Sequence, residues 1–154
     1  MTPEEAEFVD RMGLLMEGFG GSRTMGRMYG RLMICDPPHQ SLTELAAALG
    51  VSKASTSTAA RQLQEGGVIE RFPTPDRQHR YRLTPGGWTQ VLRAQFAVVA
   101  HGLQVLEFGL SVVGDDRADA RARLEESRDF LTFVERESND LIRRWEDYRK
   151  EIRG

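Results

Sequence analysis

One short segment concentrates side chains that suit contact with nucleic acid. Residues 53–62 place hydroxyls and cations on one side of a predicted helix. Short hydroxyl side chains can approach base edges, and Lys and Arg contact phosphates. A second group of cations follows in residues 71–82, where an arginine at a hairpin tip can enter a minor groove. We therefore expect contacts with double-stranded DNA from eight residues: Lys53, Ser55, Ser57, Thr58, Arg61, Arg77, His79 and Arg80.

The distribution of charge supports this expectation. The formal net charge of the chain is −2, which argues against a polyanionic partner. Residues 50–84, however, carry six basic and three acidic side chains, net +3, and a local positive field attracts phosphate. Asp76 is predicted to hold a neighbouring arginine through a charge-assisted hydrogen bond.

Two short helices joined by a turn position the first group. Ser41 and Glu44 form a capping box that begins the helix 42–49, and Gly50 ends it. Ser52 caps the next helix, whose predicted buried stripe comprises Thr56, Ala59, Ala60 and Leu63. A three-residue turn with glycine between two capped helices is typical of a helix-turn-helix.

The remaining elements frame this pair of helices. Val68–Phe72 and His79–Leu83 predict a hairpin, and Thr84-Pro85 predicts the start of a long helix that reaches Val113. An early helix is predicted over 4–19, with its buried stripe formed by Phe8, Met12, Leu15, Met16 and Phe19. The last helix carries a seam at alternating steps of three and four: Leu131, Val134, Ser138, Leu141, Trp145, Tyr148 and Ile152.

The predicted fold class is mainly α with a small β-hairpin. Residues 22–85 are expected to form a winged helix-turn-helix, and 4–21 with 86–153 a helical dimerisation region. The apolar seams exceed what one small winged domain can cover, so we expect a homodimer.

Several segments resemble those of MarR-type transcriptional regulators. Val51–Ser57 and Gly67–Arg71 are similar to the family's recognition-helix segment, and Asp76-Arg77 with Arg82–Thr84 to its wing. The Met-rich second helix, Asp36-Pro37-Pro38 and the Ser/Thr-rich recognition helix are most similar to the GbsR-like branch. The resemblance covers residues 22–85 and implies a regulator that reads a pseudo-palindromic operator as a homodimer. Many family members have a basic residue where this chain has Thr58.

An effector pocket is predicted from apolar residues of several elements. A dimer of this kind would bring them together between the winged domain and the dimerisation helices, and methionine packs adaptably around varied ligands. A small apolar or aromatic effector would contact Met12, Met16, Phe19, Met25, Met28, Trp88 and Phe96. The alternative is a fully packed core without an effector.

Two other classes of function compete with DNA binding. A winged helix can serve as a protein-interaction module, such as an antirepressor or assembly factor, but Arg77, Arg80 and Arg82 would have little use there. An enzyme is the weakest option, because no acid–base pair, nucleophile with histidine, or phosphate-binding loop can be assembled. The Gly18–Gly21 stretch is interpreted as a turn between helices.

Cofactors and export are not expected. The one cysteine, Cys35, cannot form an internal disulfide and is predicted to be a buried apolar residue, with Asp36 raising its pKa. The three histidines lack metal-ligand spacing, so neither a metal nor a cofactor is expected. Met1–Glu5 is acidic, unlike a secretory signal, and no apolar run approaches the roughly 20 residues that span a bilayer. We expect a cytoplasmic protein.

Overall fold

The computed structural model describes residues 1–74 and 79–153, which are mostly helical with one small sheet. The helices are α1 (Pro3–Gly18), α2 (Arg23–Ile34), α3 (Leu42–Leu49), α4 (Lys53–Glu65), α5 (Gly87–Val112) and α6 (Ala118–Arg153). The strands β1 (Gln40–Ser41), β2 (Ile69–Pro73) and β3 (His79–Leu83) form an antiparallel sheet in the order β1-β3-β2. The predicted fold class is confirmed. The chain divides into two compact units, Met1–Val91 and Leu92–Gly154, and α1 belongs to the first.

The caps predicted for α3 and α4 are confirmed. The hydroxyl of Ser41 accepts a hydrogen bond from the amide of Glu44 at 3.2 Å, and the Glu44 carboxylate accepts the Ser41 amide at 2.7 Å. Gly50 ends α3 at φ 63°, a left-handed conformation that favours glycine. Ser52 caps α4 by accepting the amide of Ser55 at 3.1 Å. Local side-chain chemistry therefore sets the boundaries of both helices.

Strand β1 was not predicted. Gln40 pairs with Tyr81 and Ser41 with Arg80, so the segment before α3 adds a third strand to the hairpin. Two residues are too few to show an alternating pattern, which explains why the sequence did not indicate this strand. Its consequence is that the start of α3 is attached directly to β3.

The predicted start of α5 was wrong. Thr84 and Pro85 form a turn that the hydrogen bond from the Gly87 amide to the Thr84 carbonyl closes at 3.0 Å, and the helix begins at Gly87. Gly86 has φ 76°, which a right-handed helix cannot accommodate, and Gly87 packs so closely that an added Cβ would lie 2.9 Å from the Cα of Val68. The chain must complete this turn on the sheet before the helix can begin.

The predicted stripe of α1 was partly wrong. Leu15 and Phe19 are 49% and 70% exposed, whereas Val9 is fully buried. The reason lies on α2, whose glycines allow a close approach. Gly26 contacts the backbone of α1, and a Cβ added to Gly30 would lie 3.5 Å from the Cα of Val9. These glycines draw the Val9 side of α1 towards α2.

Helices α5 and α6 pack as an antiparallel pair within the second unit. An added Cβ on Gly102 would lie 2.9 Å from a methyl of Leu131, and one on Gly109 would lie 3.3 Å from Leu124. Arg121 donates to the carbonyls of Leu110 and Val113 at 3.0 and 2.9 Å, which satisfies the end of α5.

The predicted seam of α6 divides into two parts. Leu131 and Val134 are half-buried and Ser138 is buried, whereas every later member is exposed: Leu141, Trp145, Tyr148 and Ile152. Ile142 is buried in place of Leu141. A straight helix drifts relative to a strict heptad, so the face packed on α5 shifts by one residue. The later part of the seam is thus an exposed apolar strip on α6, in which the Trp145 and Tyr148 ring centres lie 6.1 Å apart.

The prediction that no apolar run approaches the length of a membrane span was wrong for α5. By length and composition, Gly87–Val112 is the one helix in residues 1–74 and 79–153 that could cross a bilayer. Glu107 and His101 interrupt the run in the sequence, but they leave most of the helix apolar.

Candidate nucleic-acid interface

Helix α4 has one buried and one exposed side. The buried side is the predicted stripe, with Thr56, Ala59, Ala60 and Leu63 all 2% exposed or less. The exposed side carries the predicted DNA contacts together with two neighbours: Lys53, Ala54, Ser55, Ser57, Thr58, Arg61 and Gln62. The helix therefore presents small hydroxyls and two cations to its surroundings while its other side anchors it to the core.

The hydroxyls on α4 differ in their availability. The Ser55 hydroxyl lies 2.9 Å from that of Ser52, within the helix cap, and Thr56 donates to the Ser52 carbonyl. The side-chain hydroxyls of Ser57 and Thr58, both exposed, make no hydrogen bond within residues 1–74 and 79–153. Ser57 and Thr58 are thus the hydroxyls best placed to meet an external donor or acceptor.

The hairpin β2–β3, called the wing below, exposes further cations. Arg71 lies opposite Tyr81 and His79 opposite Pro73, and both Arg71 and His79 are exposed. The predicted contact Arg77 and its neighbour Asp76 lie outside the described residues. The wing therefore adds positive charge beside α4 on the same compact unit.

Arg82 is held on the wing itself. Its Nε donates to Glu70 on the neighbouring strand at 2.6 Å, and its guanidinium lies 4.6 Å from the centre of the Phe72 ring. His39 stacks on the same ring at 4.9 Å. A cation above an aromatic face is attracted by the ring quadrupole, so this cluster stiffens the wing.

Arg80 is engaged within the protein, although the sequence placed it among the DNA contacts. Its Nη1 lies 2.9 and 3.2 Å from the two carboxylate oxygens of Glu44, and its side chain is only 18% exposed. Glu44 also accepts the Ser41 amide, which is the main reason that its pKa lies below the usual value; Arg80 lowers that pKa further. Sequence reasoning found the capping box but missed this ion pair.

Residues predicted to line an effector pocket occupy different environments. Met28 is fully buried in the core. Met12 lies so close to Gly30 that a Cβ added to this glycine would be 2.9 Å from the Met12 Cβ. Phe19 is 70% exposed, and Trp88 is 45% exposed with its ring edge-on to Tyr29 at 5.6 Å. Met16 and Met25 pack partly buried against the core, and Phe96 belongs to the second unit. The pocket stays a prediction.

Cys35 is 8% exposed, and its sulfur lies 3.7 Å from the Leu32 carbonyl. Burial raises the pKa of the thiol; Asp36 contributes in the same direction, and nearby Arg31 opposes it. The prediction that Cys35 is buried is confirmed. Because burial raises its pKa, the thiol is a poor nucleophile.

Two capped helices followed by an antiparallel hairpin define a winged helix-turn-helix. A family model for MmpR5-like MarR family transcriptional regulators matches residues 86–148, and one for the MarR family matches 33–77. The HTH-type transcriptional regulator MmpR5 of Mycobacterium tuberculosis is 36% identical over 144 residues, which cover 93% of this chain and 87% of that protein. The chain belongs to the MarR family of transcriptional regulators. The GbsR-like branch is not confirmed, because the matched model is MmpR5-like.

A solved structure agrees with this assignment. The crystal structure of a transcriptional regulator has a TM-score of 0.79 and 36% sequence identity, and the match covers 94% of this chain and 99% of that one. The similarity therefore extends over nearly the whole chain.

Proposed function

We propose that this MarR-family protein binds double-stranded DNA with sequence specificity and regulates transcription as a cytoplasmic homodimer on a pseudo-palindromic operator. The observation that carries the proposal is the exposed side of α4, where Ser57, Thr58, Lys53 and Arg61 are all exposed opposite a fully buried stripe. A surface helix without a partner usually carries many Glu and Lys side chains, and this side carries one Lys and no Glu before residue 65. The chemistry fits a helix laid in the major groove.

The parts of α4 have different tasks in this proposal. The first residues of a recognition helix contact base edges, which assigns Ser57 and Thr58 to base contact. Lys53 lies at the positive end of the helix dipole and meets a phosphate. Arg61 lies two turns further along and meets the backbone as the helix leaves the groove. Arg77 and His79 add contacts from the wing.

The second unit supplies the dimer surface. Val98, Val105 and Val112 are spaced by seven residues and are each more than half exposed. The exposed half of the α6 seam, from Leu141 to Ile152, offers a second apolar strip. Soluble proteins cover patches of this kind with a partner, and a second copy of the chain covers them symmetrically. It also accounts for the apolar exterior of α5 without a bilayer.

The protein-interaction alternative is not favoured. A protein-interaction module would have little use for exposed cations on both α4 and the wing, such as Arg61 and Arg71. The chain also belongs to a family of transcriptional regulators, which are not enzymes.

Selection of bound fragments from genomic DNA by the purified protein tests the proposal. We expect enrichment of one pseudo-palindromic sequence whose half-sites are one helical turn apart, about 34 Å. A scrambled duplex of the same length and composition should bind at least about 1,000-fold more weakly at physiological salt. Equal affinity for both duplexes would contradict specific readout, and no binding to either would contradict DNA binding altogether.

Arg61→Ala tests the assignment of a phosphate contact. We expect weaker binding to operator and scrambled DNA by a similar factor, with the slope of log affinity against log salt shallower by about one unit. Arg11→Ala, on the exposed side of α1, is the matched control and should leave both quantities unchanged. If Arg61→Ala instead changed which base is preferred at one operator position, Arg61 would be a base reader.

A further inference from the structure

We propose that Glu44 and Arg80 form a positioning pair that fixes the wing relative to α3 and α4, and that Arg80 acts on DNA binding through Glu44. The inference rests on the proposed function, because the wing and α4 must meet one duplex at the same time. It departs from the sequence-based prediction that Arg80 itself contacts DNA.

The carboxylate of Glu44 joins three elements. It accepts the Ser41 amide at 2.7 Å, which ties it to the last residue of β1 and to the N-cap of α3. It also accepts two contacts from the Arg80 guanidinium on β3, at 2.9 and 3.2 Å. Ser41 and Arg80 are direct partners in the sheet, so the pair closes a small ring of backbone and side-chain hydrogen bonds. A displacement of the wing must break this ring.

The connection reaches α4 through α3. Leu45, the residue after Glu44, is fully buried in the core together with Leu63 of α4. The cap and the packed core thus hold α3 and α4 as one piece, while the wing joins that piece through β1 and the Glu44–Arg80 pair. Charge-assisted hydrogen bonds of this kind are directional, which suits them to fixing an angle between elements.

The exposure of Arg80 and Arg82, two arginines of β3, distinguishes their roles. The Arg80 side chain is 18% exposed, whereas Arg82 in its pair with Glu70 is 44% exposed. A phosphate contact made by moving the Arg80 guanidinium off Glu44 would leave a carboxylate that the helix cap holds in place without this cationic partner. The Glu70–Arg82 pair links β2 only to β3 and leaves the wing free to move as a unit.

The experiment uses the whole 154-residue chain in a double-mutant cycle of Glu44→Gln, Arg80→Gln and the combination. Glutamine at this position keeps the capping box, because its carbonyl oxygen can still accept the Ser41 amide. The probes are the fragment enriched by the wild type from genomic DNA and the scrambled duplex. We expect each single variant to lower operator affinity by about tenfold, the factor associated with one charge-assisted hydrogen bond. The double variant should be no weaker than the singles, and scrambled DNA should be affected less.

The dependence of affinity on salt distinguishes positioning from a direct phosphate contact. Positioning leaves the slope unchanged in all three variants, whereas a lost phosphate contact in Arg80→Gln makes it shallower by about one unit. A shallower slope, or tighter binding by Glu44→Gln because it releases Arg80, overturns the proposal. Glu70→Gln is the matched control, since it removes the same charge from a carboxylate that pairs with another arginine of β3, Arg82, and should leave the ratio of operator to scrambled affinity unchanged.

A measurement without DNA separates this inference from the proposed function. If the wild type binds neither duplex, the proposed function fails, and hydrogen exchange then decides the structural claim. Glu44→Gln should speed exchange of amides in β1 and β3 more than Glu70→Gln does, at matched stability against unfolding. Equal exchange in the two variants overturns the pairing as a positioning device, whatever the outcome with DNA.

Discussion

Leu141→Asp should convert the protein into a folded monomer and greatly weaken operator binding. Leu141 is 44% exposed at the start of the exposed part of the α6 seam, where the proposed dimer would bury it. A carboxylate there must be desolvated without a partner, which costs several kcal/mol and opposes association. Sedimentation at micromolar concentration should show a single 17.4 kDa species in place of a dimer. A monomer reads one half-site, so we expect operator affinity to fall by roughly 100- to 10,000-fold.

Asn139→Asp provides the matched control for this change. It adds the same charge to the same helix, but Asn139 is exposed on the side of α6 away from Leu141. This variant should remain dimeric and bind the operator as the wild type does. A wild-type chain that sediments as a stable monomer would contradict the dimer, and so would a Leu141→Asp variant that stays dimeric. Circular dichroism of both variants checks that α6 remains helical.

The features that the sequence predicted correctly depend on residues close together in the chain. Ser41 and Glu44 define a cap within four residues, and Gly50 ends the helix through its own backbone preference. The buried stripe of α4, which includes Thr56 and Leu63, follows from helical spacing once the caps fix the helix. The separation of exposed from buried residues on α4 could therefore be predicted before any tertiary structure was known.

The features that were missed depend on contacts between distant segments. Arg80 and Glu44 are 36 positions apart, and their contact exists because β1 pairs with β3. Arg80 and Arg82 alternate with Tyr81 in the same way, so spacing alone could not show that Arg80 pairs with a helix and Arg82 with the neighbouring strand. The shift from Leu141 to Ile142 on α6 likewise depends on where α5 packs, which no local signal records.

Gly26→Ala should cause the largest loss of stability of any single methyl group added to this chain's helices. An added Cβ would overlap the backbone carbonyl of Met12 and lie 2.6 Å from the Cβ of Met16, so α1 would have to move away from α2. Val9, fully buried by that close approach, would then lose its packing. Overpacking that the backbone must absorb costs about 3 kcal/mol. We expect denaturant unfolding, at fixed protein concentration, to show a loss of this size.

Gly18→Ala is the control that separates the clash from the general effect of the substitution. Gly18 is the last residue of α1, and an added Cβ there meets nothing within 4 Å. Alanine is the better helix former and restricts the unfolded chain, so this variant should gain up to about 1 kcal/mol. Opposite signs for the two variants would show that α1 and α2 approach at Gly26 as described. A Gly26→Ala protein as stable as Gly18→Ala would contradict this account. It would mean that α1 can move away from α2 without a loss of stability, and that the burial of Val9 does not depend on Gly26.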